Sequence, residues 1–191
     1  MIIFDFDGVI SDSTKWFRDV ARILGGVRHE ALLEWMISKS DEWLCGSWSD
    51  ERFIAELDEA FGLETDLDTL EAACRRSMKV DSRVHTIATN LKNTAVFTDN
   101  PAVRARIIQE LMPNAHVTYS QHVGVRKRDG FRAFAQASRI PSGLFIDDYP
   151  PNIEAALNAG FNAMRWQLNK DPVQELETAI HAHLRTAQKR R

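Results

Sequence analysis

The stretch Ile2-Ile3-Phe4-Asp5-Phe6-Asp7-Gly8-Val9 decides the fold. It is an apolar, β-rich run that ends in two acids two positions apart, followed by a glycine. Side chains alternate faces along a strand, so Asp5 and Asp7 share a side if the extended geometry persists. Two crowded carboxylates repel unless a cation sits between them or one of them holds a proton. A strand that closes on such a pair marks a site.

Outward from this run, short apolar segments recur at 94–98, 116–119, 143–146 and 162–166. Their near-continuous apolarity predicts strands covered on both faces, as in a parallel sheet. Helical patterns separate them: 101–111 with Pro101 at the first helical position, 128–137, 152–159 ended by Gly160, and an amphipathic stretch over 172–184. The alternation predicts an α/β, doubly wound parallel sheet (Rossmann-like), with ligands at the carboxyl ends of the strands.

Between the first and second strands the pattern changes. Trp16, Val20, Ile23 and Leu24 fall at helical spacing, as do Leu32, Leu33, Trp35, Met36 and Ile37. Phe53, Ile54, Leu57, Ala60 and Phe61 form a third stripe, with Ser49 or Asp50 as its cap, and a fourth runs over 67–78. Asp81-Ser82 opens a further helix, 84–91, that leads into the second strand. The expected division is a core of 1–12 and 81–191 with a small all-helical cap of 13–80 inserted after strand 1.

At 191 residues and 44% hydrophobic, the chain can bury a sizeable core. A net charge of -3 leaves no electrostatic footprint for nucleic acid, and the one basic run, Lys189-Arg190-Arg191, reads as a solvated terminus. No window reaches the apolar length of a membrane span. With a strand predicted from Met1, no leader segment is expected. Cys45 and Cys74 are too few for a disulfide framework and lack metal-ligand spacing. The expected compartment is the reducing cytoplasm, and the expected state a monomer or homodimer.

Four strand ends carry residue types suited to metal-assisted phosphoryl transfer. Asp5 is the candidate nucleophile, since a carboxylate that attacks phosphorus splits one difficult displacement into two easier ones. Asp7 is the candidate acid and base, a role that asks for a raised pKa, which crowding against Asp5 would supply. In Ala95-Val96-Phe97-Thr98-Asp99-Asn100, the Thr98 hydroxyl and the next backbone amide face a phosphate oxygen, and Asp99 and Asn100 join Thr98 as candidate substrate-binding residues. In Gly124-Val125-Arg126-Lys127-Arg128-Asp129, Lys127 stands just before a helix, where its ammonium can neutralise the transferring group. Gly143-Leu144-Phe145-Ile146-Asp147-Asp148-Tyr149 ends in an acid pair, Asp147 and Asp148, that offers hard oxygen ligands. Each element recurs by chance; their order, all at strand ends of one sheet, does not.

These residues together resemble the haloacid dehalogenase (HAD) superfamily, in particular its phosphatases with a helical cap inserted after the first strand. Asp5-Phe6-Asp7-Gly8-Val9 is similar to the first motif, Thr98 to the second, Lys127 to the third and Asp147-Asp148 to the fourth. The segment 9–13 looks like the flexible turn that moves the cap, and Ser120 to Lys127 looks most like sugar-phosphate phosphatases and the phosphatase domain of epoxide hydrolases. The resemblance implies a Mg²⁺-dependent phosphatase for a small phosphorylated metabolite, acting through an aspartyl-phosphate. The implied metal set is Asp5, Asp7 through its main-chain carbonyl, Asp147 and Asp148. Two positions depart from the pattern: Arg128 stands where proline is common, and Tyr149 where a small polar residue is usual.

Trp48, in the loop Cys45-Gly46-Ser47-Trp48 between cap helices, is the candidate substrate selector of the cap. His181 and His183, two apart on a helix, point in different directions and make poor joint ligands. The alternatives on the same core are a phosphomutase, a 2-haloacid dehalogenase-type hydrolase, against which Asp7 argues, and a catalytically silent binding or regulatory protein.

Overall fold

The computed structural model describes residues 1–188; the basic run 189–191 lies outside the described residues. Five parallel strands, β1 (Ile2–Phe4), β2 (Thr94–Thr98), β3 (His116–Tyr119), β4 (Leu144–Asp147) and β5 (Asn162–Arg165), form one sheet in the order β3-β2-β1-β4-β5. The register sets Phe4 beside Val96 on one side and Ile146 on the other. The central strands are buried on both faces, as their continuous apolarity predicts, and the edge strands β3 and β5 are partly exposed.

Alternation along β1 divides the core. Ile2 and Phe4 pack with Val96, Ile146, Trp166, Leu176 and Ile180 on one face. Ile3 packs with Phe97, Phe145, Phe131, Phe134 and Phe161 on the other. The chain runs from β1 toward β2 but from β4 toward β5, so the topological switch point lies between β1 and β4. Asp5 and Asp147-Asp148 close those two strands.

Five helices follow β1: α1 (Trp16–Gly25), α2 (His29–Ser38), α3 (Ser40–Leu44), α4 (Asp50–Phe61) and α5 (Leu67–Ser77), with a 3-10 turn at Gly26–Arg28. The sequence pattern resolves four of these helices; the five-residue α3 is too short to display a period. Ser49, rather than Asp50, caps α4 by accepting from Arg52 N. α6 (Ser82–Asn90) is capped by Asp81.

The remaining helices are α7 (Ala102–Leu111), α8 (Ser120–Val123), α9 (Lys127–Ala137), α10 (Pro150–Asn158) and α11 (Val173–Gln188). Pro101 is the N-cap of α7, not its first residue, because its ψ of 168° is extended. Ala159 closes α10, and Gly160 follows with φ +89°. α9 starts at Lys127, with Asp99 Oδ1 accepting from Lys127 N at 2.9 Å, and breaks at Gly130.

The inserted helices share an apolar core built on Trp16, Trp43, Phe53, Leu57 and Leu70, and this core takes in Val103 and Ile107 of α7. The connecting segments are bonded to each other: Asp12 N donates to Lys79 O (2.8 Å) and Asp81 N to Ile10 O (3.0 Å). Val9, Ile10 and Ser11 are fully buried. The 9–13 segment, expected as the turn that moves the cap, is packed and cross-bonded to residues 79 and 81. No helix among the described residues is long and apolar enough to cross a membrane.

Candidate active site

Asp5 leaves the sheet while still in register: its N–H donates to Ile146 O at 2.8 Å, which holds the side chain at the carboxyl end of the central strand. Its Oδ1 accepts from Phe6 N (2.7 Å) and lies 2.7 Å from Lys127 Nζ. The same ammonium lies 2.8 Å from Asp147 Oδ2 and donates to Phe97 O at 3.3 Å. Asp147 is held from both sides, since Asn152 Nδ2 donates to Oδ2 (3.0 Å) and Tyr149 N to Oδ1 (2.8 Å). Lys127 is 1% exposed and Asp5 6%, so this chemistry is held out of bulk water.

Burial pushes the Asp5 carboxyl well above the usual carboxylate range; Lys127 opposes the push and Asp147 adds to it. Asp148 rises to about 6 through burial and then through the Asp147 charge. Asp99 is also raised by burial, against the pull of Lys127. Burial works against the charge of Lys127, but Asp147, Asp5 and Asp99 outweigh it and hold the ammonium well above its ordinary range. Four carboxyls share one buried cation, and the cluster lacks positive charge.

A hard divalent cation fits that deficit. Asp5, Asp147 and Asp148 each offer an oxygen within 4.8 Å of the others, the one such group among the described residues. In the same pocket Asn152 Oδ1 is buried with no hydrogen-bond partner. All these donors are oxygens, which suits Mg²⁺-like ions and not soft metals.

The pocket has a volume of about 250 Å³. Asp5, Asp7, Thr98, Asp99, Lys127 and Asp148 line it, and Thr14, Trp16 and Tyr149 form its outer wall. Larger hollows lie along α9 and at the amino ends of the strands; the one along α9 is lined by Arg132, Arg139 and Phe161, with no acid cluster.

Asp7 departs from expectation. Its carboxylate does not join the acid cluster. Arg104 Nη2 donates to Asp7 Oδ1 at 2.7 Å, Ser13 Oγ donates to the same oxygen at 2.5 Å, and Asn100 Nδ2 donates to Oδ2 at 2.7 Å. The ion-pair partner of Asp7 is the buried Arg104 guanidinium. Asn100 is fully buried, bonded to Asp7, Thr98 and Arg104, and is absent from the pocket wall. Thr98 Oγ1 accepts from Asn100 Nδ2 at 2.6 Å.

Trp48 also falls outside the pocket lining. Its ring packs near Trp35 with centroids 6.3 Å apart, and its carbonyl accepts from Gln121 Nε2 at 2.9 Å. Gly46, with φ +81°, lets this loop lie against α8: a Cβ there would fall 2.4 Å from Gln121 O. The loop buttresses the inserted helices, and the aromatic that reaches the pocket from them is Trp16. Arg104 is the participant that motif reading misses.

No protein-family model matches the sequence, and no curated protein does. Solved structures do match. A predicted HAD-like family hydrolase from Porphyromonas gingivalis superposes with a TM-score of 0.70 over 94% of this chain and 96% of that one, at 17% identity. A HAD family enzyme from Bacteroides thetaiotaomicron superposes at 0.74 over 92% and 97%, at 13% identity.

The chain has the HAD fold.

The Bacteroides enzyme has also been solved in complex with magnesium and inorganic phosphate, and that structure superposes at 0.66 over 89% and 95%, with 14% identity. On this HAD fold, Asp5, Thr98, Lys127 and Asp147-Asp148 close neighbouring strands or open the helix beside them, as the motif order predicts. Arg128, exposed and 3.3 Å from Asp129 Oδ2, stands outside the pocket lining, whereas Tyr149, 46% exposed, stands on the pocket rim.

Proposed function

We propose that the protein is a magnesium-dependent phosphatase that hydrolyses a small phosphorylated metabolite through an aspartyl-phosphate on Asp5. The observation that carries the reading is the Asp5 carboxylate at the end of the central strand, inside a buried carboxylate cluster one cation short and beside Lys127. The magnesium and phosphate complexes of the structurally similar Bacteroides enzyme support it.

Asp5, Asp148 and the main-chain carbonyl of Asp7 would hold the ion, with Asp147 and Asn152 behind them. Bound there, Mg²⁺ neutralises the acid cluster and the phosphoryl oxygens. Lys127 and Thr98 hold the phosphoryl group while an Asp5 oxygen forms a bond to phosphorus and the bond to the leaving oxygen breaks. Asp7 gives its proton to that oxygen. It then takes one from water, whose oxygen attacks phosphorus, releasing phosphate and restoring Asp5. Residues 13–80 act as the cap, with Thr14 and Trp16 turned to the substrate and Trp48 kept as a support.

A screen for phosphate and halide release, over sugar phosphates, nucleotides, small phosphoacids and 2-haloacids with and without Mg²⁺, tests the reading. Mg²⁺-dependent phosphate release that vanishes in Asp5→Asn supports it. Halide release alone, or an Asp5→Asn protein of full activity, overturns it.

A further inference from the structure

We infer that Arg104 is the positioning residue for proton transfer by Asp7, assigning that transfer to Oδ2; this rests on the phosphatase reading above. A carboxylate has about four lone-pair sites, two on each oxygen. Arg104 Nη2 and Ser13 Oγ fill both sites on Oδ1, and Asn100 Nδ2 fills one on Oδ2. One position on Oδ2 is left for the leaving oxygen and then for water.

The guanidinium is itself fixed. Its Nε donates to Asn100 Oδ1 (2.7 Å), Nη1 donates to Ser77 Oγ (2.9 Å), and its carbon lies 4.3 Å from the centre of the Trp16 ring. The bond to Asn100 also orients that amide. With Asn100 Oδ1 committed to Arg104, its nitrogen must face Asp7 Oδ2 and Thr98 Oγ1. A reversed amide would set an oxygen against a carboxylate. One planar fork therefore orders the acid, the hydroxyl beside the phosphate position and the pocket tryptophan. Lysine, a point charge with no fixed plane, cannot reproduce three such bonds.

A residue that only stabilises the fold slows all substrates alike. A residue that aims a general acid matters most when the leaving group needs the proton. The test compares kcat/KM, which covers the steps through leaving-group departure, for phenyl phosphate and p-nitrophenyl phosphate with Mg²⁺. These esters are close in size, but p-nitrophenolate departs readily without protonation. Arg104→Lys is expected to lose about 10- to 100-fold on phenyl phosphate and less than about threefold on p-nitrophenyl phosphate, within the range of general-acid effects. Val103→Ala, which thins the packing of the same helix, should lower both equally or neither. If Arg104→Lys melts below the assay temperature, Ser13→Ala removes the other donor to Oδ1 and should show the same skew at smaller size. Equal losses on both esters, or no loss on either, overturn the inference while leaving the phosphatase reading intact. A wild-type protein that hydrolyses neither ester and releases no phosphate from any compound of the screen above overturns both.

Discussion

A Cβ placed on Gly8 would lie 2.5 Å from the Asp148 carboxylate, and Gly8 has a φ of +92°. The turn after β1 therefore reaches Asp148 only because residue 8 has no side chain. Gly8→Ala is expected to cost about 1–3 kcal/mol from backbone strain alone. It should also displace Asp148 and weaken the rise in Tm expected of the wild type on adding Mg²⁺. Calorimetry with and without Mg²⁺ checks this; an unchanged melting curve in both conditions counts against the close approach.

Asp5→Asn separates stability from activity. The burial that raises the Asp5 pKa makes its ionised form unfavourable in the metal-free fold. The variant should be inactive, yet metal-free it should melt no lower than wild type. A large drop in its metal-free Tm would show that the Lys127 pair outweighs burial.

Asp148 predicts a pH dependence. Its folded-state pKa of about 6 stands above the ordinary 3.8. The native state thus holds more protons than the unfolded chain between about pH 4 and 6, and stability falls as pH rises through that window. Asp148→Asn removes this slope. With the group partly solvent-screened, the metal-free variant should gain roughly 1 kcal/mol at pH 7.5 and nothing near pH 4. Denaturant titrations at the two pH values measure it.

Lys127→Met removes the ammonium that Asp5 and Asp147 share. Stranding buried carboxylates costs about 3–5 kcal/mol. The penalty should shrink as pH falls and the acids take up protons. A loss independent of pH would place the effect in packing.

The two tryptophans make opposite predictions. Trp16 borders the pocket, so Trp16→Phe should alter kcat/KM by about tenfold, roughly 1.4 kcal/mol of transition-state contact. Trp48 packs on Trp35, so Trp48→Phe should lower Tm slightly and leave kcat/KM unchanged. Steady-state kinetics on the two purified variants distinguish them.

Strand β2 was legible because each of its residues is buried and each is β-rich or small, and β4 because an apolar run stops at its acids. Asp5, Thr98, Lys127 and Asp148 were legible for a related reason: each stands at a strand end or helix start, where the switch point gathers side chains. Arg104 was not. It occupies the apolar stripe of α7 with Ile107, Ile108 and Leu111, spaced by three, four and seven, and an arginine there is the signal that its charge is buried. What it pairs with could not be read, because Asp7 is 97 residues away. Trp48 misled for the converse reason: an aromatic in a loop reads as exposed and selective until the surface it leans on is known.

Local pattern alone determined the parallel sheet, the helical insertion and the acids at the strand ends, since periodicity and chain direction are properties of neighbouring residues. Tertiary structure decided which charges meet. It set Lys127 between Asp5 and Asp147, drew Asp7 away to Arg104, and turned Trp16 rather than Trp48 to the pocket. Coulomb and hydrogen-bond energies depend on distances of a few ångströms between groups far apart in the chain, and only the folded packing sets those.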